Sequence, residues 1–354
     1  MMKRLLAVLA ISLMALTGCD SGGGAQPAAR AADDFKGAKL VVQVWGGAYE
    51  NTLRENVIKP FEEKTGAQVE VVLGTAPVAQ LKSEGANASV DVVHLAAAEA
   101  ATGIALGVLA PFNYENMPGG ANLYSEALPN VFTVVTNWGG FGLTYRTDLV
   151  ETPPTAWADL WNPEFRGKVA IWEIENSGTI ELLDMVARSF GSTITDESSW
   201  DQVFAKMREL KPQIAAFVSS HADLENLLTT GEAVVAVQPN GRAIRMVRSG
   251  LNVSFVAPSE GTPTMTTLVA VAKGTKQKKL AEMFVDACLA PPAQEAYAIN
   301  NFYAPSNKLA QVPEDLRPFM PYSSKQVADL ITIDQAALAP LRSKLVERWN
   351  KEMK

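Results

Sequence analysis

The stretch that decides the fold is Val41-Val42-Gln43-Val44-Trp45-Gly46-Gly47-Ala48-Tyr49-Glu50. A valine-rich apolar run ends in two glycines and a helical pattern follows, which predicts a buried strand that turns into a helix. In open α/β sheets, ligands bind outside the carboxyl ends of strands, where such turns expose backbone N–H groups. Trp45 and Tyr49 offer flat apolar surfaces with a polar edge, which suits a small organic ligand. Alternatively, both rings only cover the edge of the core, and Gly46 and Gly47 only tighten the turn.

The first 36 residues are predicted to lie outside the fold. Lys3 and Arg4 precede a short apolar run, which is typical of an export signal and is too short for a membrane span of about 20 residues. The stretch Leu16-Thr17-Gly18-Cys19 resembles the bacterial lipobox, which implies removal of residues 1–18 and lipidation of Cys19. Asp20 resembles the signal that retains lipoproteins in the inner membrane of enteric-type bacteria. Residues 19–36 are predicted to be a flexible tether. The alternative is a soluble signal with an incidental cysteine.

Length and charge narrow the class of protein. Of the 354 residues, processing at Cys19 would leave 336 (354 minus 18), enough for two domains. The net charge of −7 would become −9, because Lys3 and Arg4 are lost and 29 basic residues then face 38 acidic ones. An acidic surface argues against nucleic acid as a partner. With Cys19 lipidated, only Cys288 remains, so no intrachain disulfide is expected, and Cys288 is predicted to be a buried small hydrophobe.

Strand and helix patterns alternate from Lys39 to Leu109, which indicates a largely parallel, covered sheet. The predicted elements there are strand 40–45, helix 48–64, strand 68–73, a helix near 77–86, strand 90–95 and a helix from 96 to about 106. A second cluster of aromatic and glycine residues, Asn137 to Gly142, indicates a bend or a close backbone approach. A strand is predicted at 267–272. Residues 335–354 are predicted to form an amphipathic helix that packs on the body of the protein.

The order of these motifs resembles the type II periplasmic solute-binding proteins of ABC importers, most closely the spermidine/putrescine-binding branch. The similarity covers roughly residues 38–310, and it is carried by Val44-Trp45-Gly46-Gly47, Phe61-Glu62-Glu63-Lys64-Thr65-Gly66, Val90-Asp91-Val92-Val93, Trp138-Gly139-Gly140, Pro154-Thr155-Ala156-Trp157-Ala158-Asp159-Leu160-Trp161, Phe165-Arg166-Gly167-Lys168 and Tyr303-Ala304-Pro305-Ser306-Asn307. The resemblance implies an α/β fold of two lobes joined by two crossover strands, which closes on its ligand by hinge motion.

The resemblance also implies a domain division and a set of ligand-binding residues. Lobe 1 would comprise residues 37–142 and 267–305, and lobe 2 would comprise residues 143–266 and 306–354. The crossovers would lie near residues 141–145 and 264–268. The candidate ligand-binding residues, all at strand ends or crossovers facing the cleft, are Trp45, Gly46, Gly47, Tyr49, Trp138, Trp172, Glu173, Glu175, Arg242 and Tyr303. For Glu173 and Glu175, a solvated loop charge is an equally good interpretation.

Departures from the polyamine pattern change the expected ligand. Polyamine binders hold ammonium groups with carboxylates and aromatic rings. Here the short aromatic motif after strand three is replaced by His94-Leu95-Ala96-Ala97-Ala98-Glu99, and the late Trp-x-Asp by Thr264-Met265-Thr266. Arg242 would repel a polyamine, whereas it would pair with a carboxylate or phosphonate. A zwitterionic ω-amino acid, opine or aminophosphonate is therefore expected, and a polyamine is the alternative.

Other classes of protein fit the sequence less well. The only histidines are His94 and His221, and the chain has no nucleophile motif, phosphate loop or paired metal-ligand motif, so no enzymatic activity, cofactor or metal is expected. A ferric-ion binder of this fold would need a pair of neighbouring tyrosines on the second lobe, and the sequence has no such pair there. A structural or sensory lipoprotein would not need aromatic residues and opposite charges at strand ends. The expected partners are a small-molecule ligand, an ABC permease and, through the lipid anchor, the periplasmic face of the inner membrane. The chain is expected to act as a monomer.

Overall fold

The computed structural model describes residues 35–74, 76–175, 177–321 and 323–354. The export signal and Cys19 lie outside these residues. The strands described are β1 (Lys39–Val44), β2 (Gln68–Leu73), β3 (Val92–Leu95), β4 (Leu109–Ala110), β5 (Thr133–Arg146), β6 (Val169–Trp172), β7 (Ile214–Val218), β8 (Val235–Pro239), β9 (Val253–Val256), β10 (Thr262–Ala272), β11 (Ala304–Pro305) and β12 (Leu330–Ile331).

The α-helices of the same residues lie between and around these strands. They are α1 (Ala48–Leu53), α2 (Lys59–Thr65), α3 (Pro77–Glu84), α4 (Ala97–Ala105), α5 (Ser177–Ser189), α6 (Trp200–Leu210), α7 (His221–Thr230), α8 (Asn240–Arg248), α9 (Lys278–Cys288), α10 (Pro291–Asn301), α11 (Ser324–Ala328), α12 (Gln335–Leu338) and α13 (Arg342–Met353). Within the described part of the chain, none of the helices has both the length and the apolar character that a bilayer span requires.

The opening stretch forms a strand and a helix joined by a glycine turn, as its pattern predicts. Gly47 precedes α1 with φ 82°, and Gly66 ends α2 with φ 72°, a left-handed conformation that glycine adopts without strain. The helix predicted over residues 48–64 is interrupted by a π-helical turn at Arg54–Ile58. Pro60 follows that turn. Because proline has no N–H and its ring crowds the carbonyl four residues earlier, a widened turn accommodates it.

Two long strands connect the two halves of the molecule. The strand order is β2-β1-β3-β10-β5-β8-β6-β7, with parallel β1, β2 and β3 at one end and parallel β8, β6 and β7 at the other. Antiparallel β10 and β5 lie between these groups. The first half of β5 pairs with β10, and from Phe141 onward β5 pairs with β8 and β9. The two predicted crossovers are therefore β5 and β10.

Each half of the molecule has its own buried core. The first core surrounds β1, β3 and β10, and it includes Cys288, which is 1% exposed as its helical pattern predicts. The second core surrounds β6 and β8, with a smaller satellite cluster under α7. Strand β5 contributes to both cores: Trp138 lies in the first, and Phe141 lies in the second. The switch between the lobes in β5 thus falls between these two residues.

Glycines are needed where β5 passes from the first lobe to the second, because side chains of other segments lie against the strand at that point. A Cβ added to Gly139 would lie 2.6 Å from Asn240 Oδ1 and 3.3 Å from the Tyr303 ring. A Cβ on Gly140 would overlap the Thr262 side chain. The amide side chain of Asn240 links three segments, since Gly140 N donates to its Oδ1 (3.1 Å) and its Nδ2 donates to Phe319 O (2.8 Å). The close backbone approach predicted for the Trp-Gly-Gly cluster is present.

Two elements differ most from the sequence prediction. Strand β10 starts at Thr262, five residues before the predicted 267, because residues 262–263 pair with β12 and residues 264–266 pair with residues 138–140 of β5. The helix predicted over 335–354 is split into α12 and α13 by a tight turn around Pro340, which cannot donate a helical hydrogen bond. The predicted division of the lobes at residue 306 stays a prediction. Buried residues up to Val327 pack in the first core and those from Ile333 onward in the second, which favours a boundary near Leu330.

Candidate ligand-binding cleft

The carboxyl ends of the parallel strands in both lobes meet at the crossovers. Leu95, the last residue of β3, faces Leu268 of β10, and Pro239, the last residue of β8, faces Phe141 of β5. Helices α1, α4, α5, α7 and α8 begin within a few residues of the strand ends. Their first turns carry N–H groups without helical partners, which favour anionic groups of a ligand. This line between the lobes is the candidate cleft.

The first-lobe wall consists of the aromatic side chains of Trp45, Tyr49, His94 and Tyr297. Their rings form a connected cluster, with centroids 5.8 Å apart for Trp45–Tyr49, 5.8 Å for Tyr49–His94 and 4.6 Å for Tyr49–Tyr297. Trp45 is partly exposed, whereas Tyr49 is 9% exposed. Trp45 therefore presents the surface of the cluster, and Tyr49 holds it from behind.

Hydrogen bonds fix the polar atoms of this wall. Asn137 Nδ2 donates to Tyr49 Oη over 3.3 Å, and burial raises the pKa of Tyr49 to about 12, which keeps the phenol neutral. His94 Nδ1 lies 3.2 Å from the Gln43 carbonyl, which can only accept, so Nδ1 carries the proton. Burial lowers the pKa of His94 to about 4. His94 is thus a neutral ring whose buried Nε2 is an acceptor without a partner in the described chain.

The second-lobe wall is built from Trp172, His221 and the start of α8. Trp172 is 1% exposed, its Nε1 donates to Val237 O over 2.8 Å, and its ring contacts His221 edge-on with centroids 4.7 Å apart. His221 starts α7 after the capping residue Ser220. Burial, together with the charges of Arg242 and Arg245, lowers the pKa of His221 to about 4. The surface that this lobe presents to the cleft is therefore polar.

The two predicted carboxylates lie in different environments. Glu173 Oε2 is 3.1 Å from the ammonium of Lys354, an ion pair between the end of β6 and the end of α13. Glu175 is exposed and makes no hydrogen bond or ion pair within the described residues. Of the two, Glu175 is the carboxylate left for a ligand.

Arg242 lies where the two lobes approach each other. It belongs to the first turn of α8, whose Gly241 comes so close to the first lobe that an added Cβ would be 3.1 Å from Asn301 O and 3.3 Å from the Tyr303 ring. Burial raises the pKa of Tyr303, and the charges of Arg242 and Arg245 lower it in part. The same two charges act on His221. The charge of Arg242 therefore reaches both Tyr303 of the first lobe and His221 of the second.

The remaining predicted residues occupy the turn and the crossover. Gly46 and Gly47 are exposed in the turn between β1 and α1. Trp138 is 2% exposed, packs in the first core beside Tyr124, and has an Nε1 without a partner in the described residues. Trp138 and Trp172 thus contribute packing beneath the cleft, whereas Trp45 and Arg242 contribute surface.

Sequence reasoning missed three side chains at the walls. His94 was noted only as the loss of an aromatic motif, although its place at the end of a buried strand next to the Trp45 turn was a usable signal. Arg245 follows Arg242 by three residues, and that spacing places both on one helix face. Lys354 is 181 residues from Glu173, and nothing in the sequence connects them.

Comparison with known proteins identifies the family. The model of the family described as "Bacterial extracellular solute-binding protein" matches residues 56–317, about three quarters of the chain. The chain belongs to this family. It is therefore a binding protein and not an enzyme, and it has the two-lobe fold of the ABC-transporter solute-binding proteins of the periplasm.

Individual relatives of this solute-binding protein bind amines and amino acids. The gamma-aminobutyric acid-binding protein of Pseudomonas aeruginosa is 26% identical over 332 residues, which cover 90% of this chain and 92% of that protein. The spermidine/putrescine-binding periplasmic protein of Escherichia coli is 25% identical over 185 residues, 51% of each chain. A solved GABA receptor is 25% identical with a TM-score of 0.75, covering 88% of this chain and 96% of that one.

Proposed function

We propose that this solute-binding protein captures a small zwitterionic solute, with an amine at one end and a carboxylate or phosphonate at the other, for import by its ABC transporter. An ω-amino acid, an opine and an aminophosphonate all fit that description. The observation that carries the proposal is Arg242, a half-buried guanidinium between the lobes that has no carboxylate partner in the described chain. A guanidinium in that position favours a planar anion that accepts two hydrogen bonds.

The walls divide the recognition of such a ligand. Trp45 and Tyr303, supported by Tyr49, would contact the apolar middle of the solute. Arg242, with the first turns of the second-lobe helices, would hold the anionic end, and Glu175 would accept from the ammonium. Gly46 and Gly47 would let the solute approach the backbone, and Trp138 and Trp172 would support both walls from beneath. The gamma-aminobutyric acid-binding relative, which aligns over nearly the full chain, supports this ligand class.

The decisive experiment is calorimetry of Arg242→Ala with 4-aminobutyrate, putrescine and spermidine. Removing one member of a desolvated charge pair costs about 2–5 kcal/mol, so 4-aminobutyrate binding should weaken by well over tenfold. Arg166→Ala is the matched control, because Arg166 is exposed on the same lobe and makes no side-chain bond in the described residues.

A polyamine ligand would give the opposite result. Loss of a positive charge from the cleft would leave putrescine affinity unchanged or improve it. Tight putrescine binding by the wild type that survives in Arg242→Ala would contradict the zwitterion proposal and favour the polyamine alternative, which the spermidine/putrescine-binding relatives keep open.

We also propose that the protein is a monomer anchored to the inner membrane through a lipidated Cys19 after removal of residues 1–18. The export signal and lipobox-like sequence support this proposal. Cys19→Ser should abolish labelling by radioactive palmitate. Equal labelling of the wild type and the variant would contradict it.

A further inference from the structure

Most arginines of the described residues are held by a carboxylate or an amide oxygen, and three are not. Arg54, Arg146, Arg188, Arg208, Arg248, Arg317 and Arg348 form ion pairs, and Arg342 donates to Gln335. Arg166, Arg242 and Arg245 make no side-chain hydrogen bond or ion pair within the described residues. Two of these three belong to one helix at the cleft.

Arg242 and Arg245 lie three residues apart on α8, so they project from the same helix face. Both charges act on His221 of the second lobe and on Tyr303 of the first. One turn further along α8, Arg248 forms an ion pair with Asp315, which compensates its positive charge. The unpaired row on α8 therefore contains two guanidinium groups, half-buried Arg242 and exposed Arg245, whose charges reach a residue of each lobe.

Nearby groups do not cancel this charge. Glu173 is neutralised by Lys354 at 3.1 Å. His221 is a neutral ring next to the arginines, with a buried Nδ1 that has no partner in the described residues. Glu175 is the exposed carboxylate of the neighbouring strand end. The second-lobe wall thus has two positive charges for one free carboxylate.

We infer that Arg242 and Arg245 form a two-guanidinium subsite, and that the natural solute has a doubly charged anionic end, such as a phosphonate, rather than a single carboxylate. This inference rests on the proposed function and specifies its ligand class. A phosphonate offers three acceptor oxygens and a charge near −2 above neutral pH, so one guanidinium can take two oxygens while the second takes the third. A carboxylate has only two oxygens and one charge, and it leaves the second guanidinium uncompensated.

The test compares 3-aminopropylphosphonate with 4-aminobutyrate, which have the same amine and chain length and differ in the anionic group. Calorimetry at slightly alkaline pH should show the wild type binding the phosphonate at least about tenfold more tightly. In Arg245→Gln, the phosphonate should lose more affinity than the carboxylate, so that their affinity ratio falls to about one tenth of the wild-type ratio. The control Arg166→Gln should leave the ratio unchanged, because Arg166 lies outside the cleft.

The outcomes separate this inference from the proposed function. Equal wild-type affinity for the two ligands, or an equal loss of both in Arg245→Gln, would overturn the two-guanidinium subsite and leave the zwitterion proposal standing. Wild-type binding of putrescine with no binding of either zwitterion would overturn both.

Discussion

Each lobe has one tryptophan–histidine pair at its strand ends, and the two pairs are built in opposite ways. In the first lobe, Trp45 and His94 have ring centroids 6.4 Å apart, the tryptophan is partly exposed and the histidine is 3% exposed. In the second lobe, the Trp172 and His221 rings are 4.7 Å apart, the tryptophan is 1% exposed and the histidine is partly exposed. The same two residue types thus present an apolar surface on one wall and a polar surface on the other.

The opposite exposure of tryptophan and histidine in the two lobes suggests a different role in ligand binding for each wall. The first-lobe wall has neutral aromatic rings and contributes contact area, which depends weakly on the charge of the ligand. The second-lobe wall has two uncompensated arginines, and its contribution depends on charge. On the proposed function, recognition of shape and of charge would be separated between the lobes and would act together when the cleft closes on a ligand.

The largest expected difference between the pairs is in stability. Trp172→Ala removes a fully buried ring and its hydrogen bond to Val237, and should lower the free energy of unfolding by about 3–5 kcal/mol. Trp45→Ala removes a partly exposed ring and should cost much less stability while weakening ligand binding. Urea denaturation and calorimetry of both variants measure the two effects.

A second variant keeps this prediction testable if Trp172→Ala does not fold. Trp172→Phe retains most of the apolar contact and loses only the N–H donor, which leaves Val237 O to find another partner. It should cost less than the alanine variant. A larger stability loss from Trp45→Ala than from Trp172→Ala would mean that the assignment of surface and support to the two rings is reversed.

The sequence predicted the fold because its determinants are local. Valine-rich runs followed by glycine turns and helical periodicity identified β1, α1, β3 and α4, whereas both crossovers were implied by the resemblance to the type II solute-binding proteins. The π-helical turn before Pro60 and the split at Pro340 were missed, although a proline inside a helical pattern was the available signal. These errors concern details within elements and not their order.

The site was less predictable because its chemistry depends on contacts between distant residues. A tryptophan at a strand end was expected to face the ligand, but the exposure of Trp45 and the burial of Trp172 are decided by packing. Glu173 has the negative charge that would bind an amine, but only the three-dimensional structure shows that it is already paired with Lys354. A position at a strand end therefore predicts where a site lies, but it does not predict which of the side chains there are exposed and unpaired.

The two histidines should also differ in how they couple stability to pH. Their pKa values are lowered from 6.5 to about 4, so the unfolded chain binds more protons between these values and stability is lost as pH falls from about 6.5 toward 4. For buried His94 the loss approaches about 3 kcal/mol. His221 is more exposed, and solvent screening reduces its share.

Urea denaturation of His94→Gln and His221→Gln from pH 7 to pH 4.5 measures this coupling. Relative to the wild type, His94→Gln should flatten the pH dependence of unfolding free energy more than His221→Gln does. Carboxylates such as Glu181, whose pKa is raised by burial, are common to all three proteins and cancel in the comparison. Parallel pH curves for the wild type and His94→Gln would contradict a neutral buried His94.

The smallest expected effect concerns the charge balance of the second-lobe wall. Lys354 neutralises Glu173 through an ion pair whose side chains are 48% and 26% exposed, so the pair itself adds little stability. Its effect on the cleft is electrostatic. Without the lysine, Glu173 would stand as a free carboxylate at the end of β6, in the same wall as Arg242 and Arg245.

Lys354→Met should therefore shift ligand preference from anionic toward cationic groups. We expect 4-aminobutyrate affinity to fall by about two- to fivefold and putrescine affinity to rise by a similar factor, the scale of a partly exposed ion pair. Lys351→Met is the matched control, because Lys351 is exposed on the same helix and has no ion pair among the described residues. If both variants change the two affinities alike, the effect comes from net charge. If only Lys354→Met changes their ratio, Glu173 contributes to the wall, and its lysine partner sets the charge that the ligand meets.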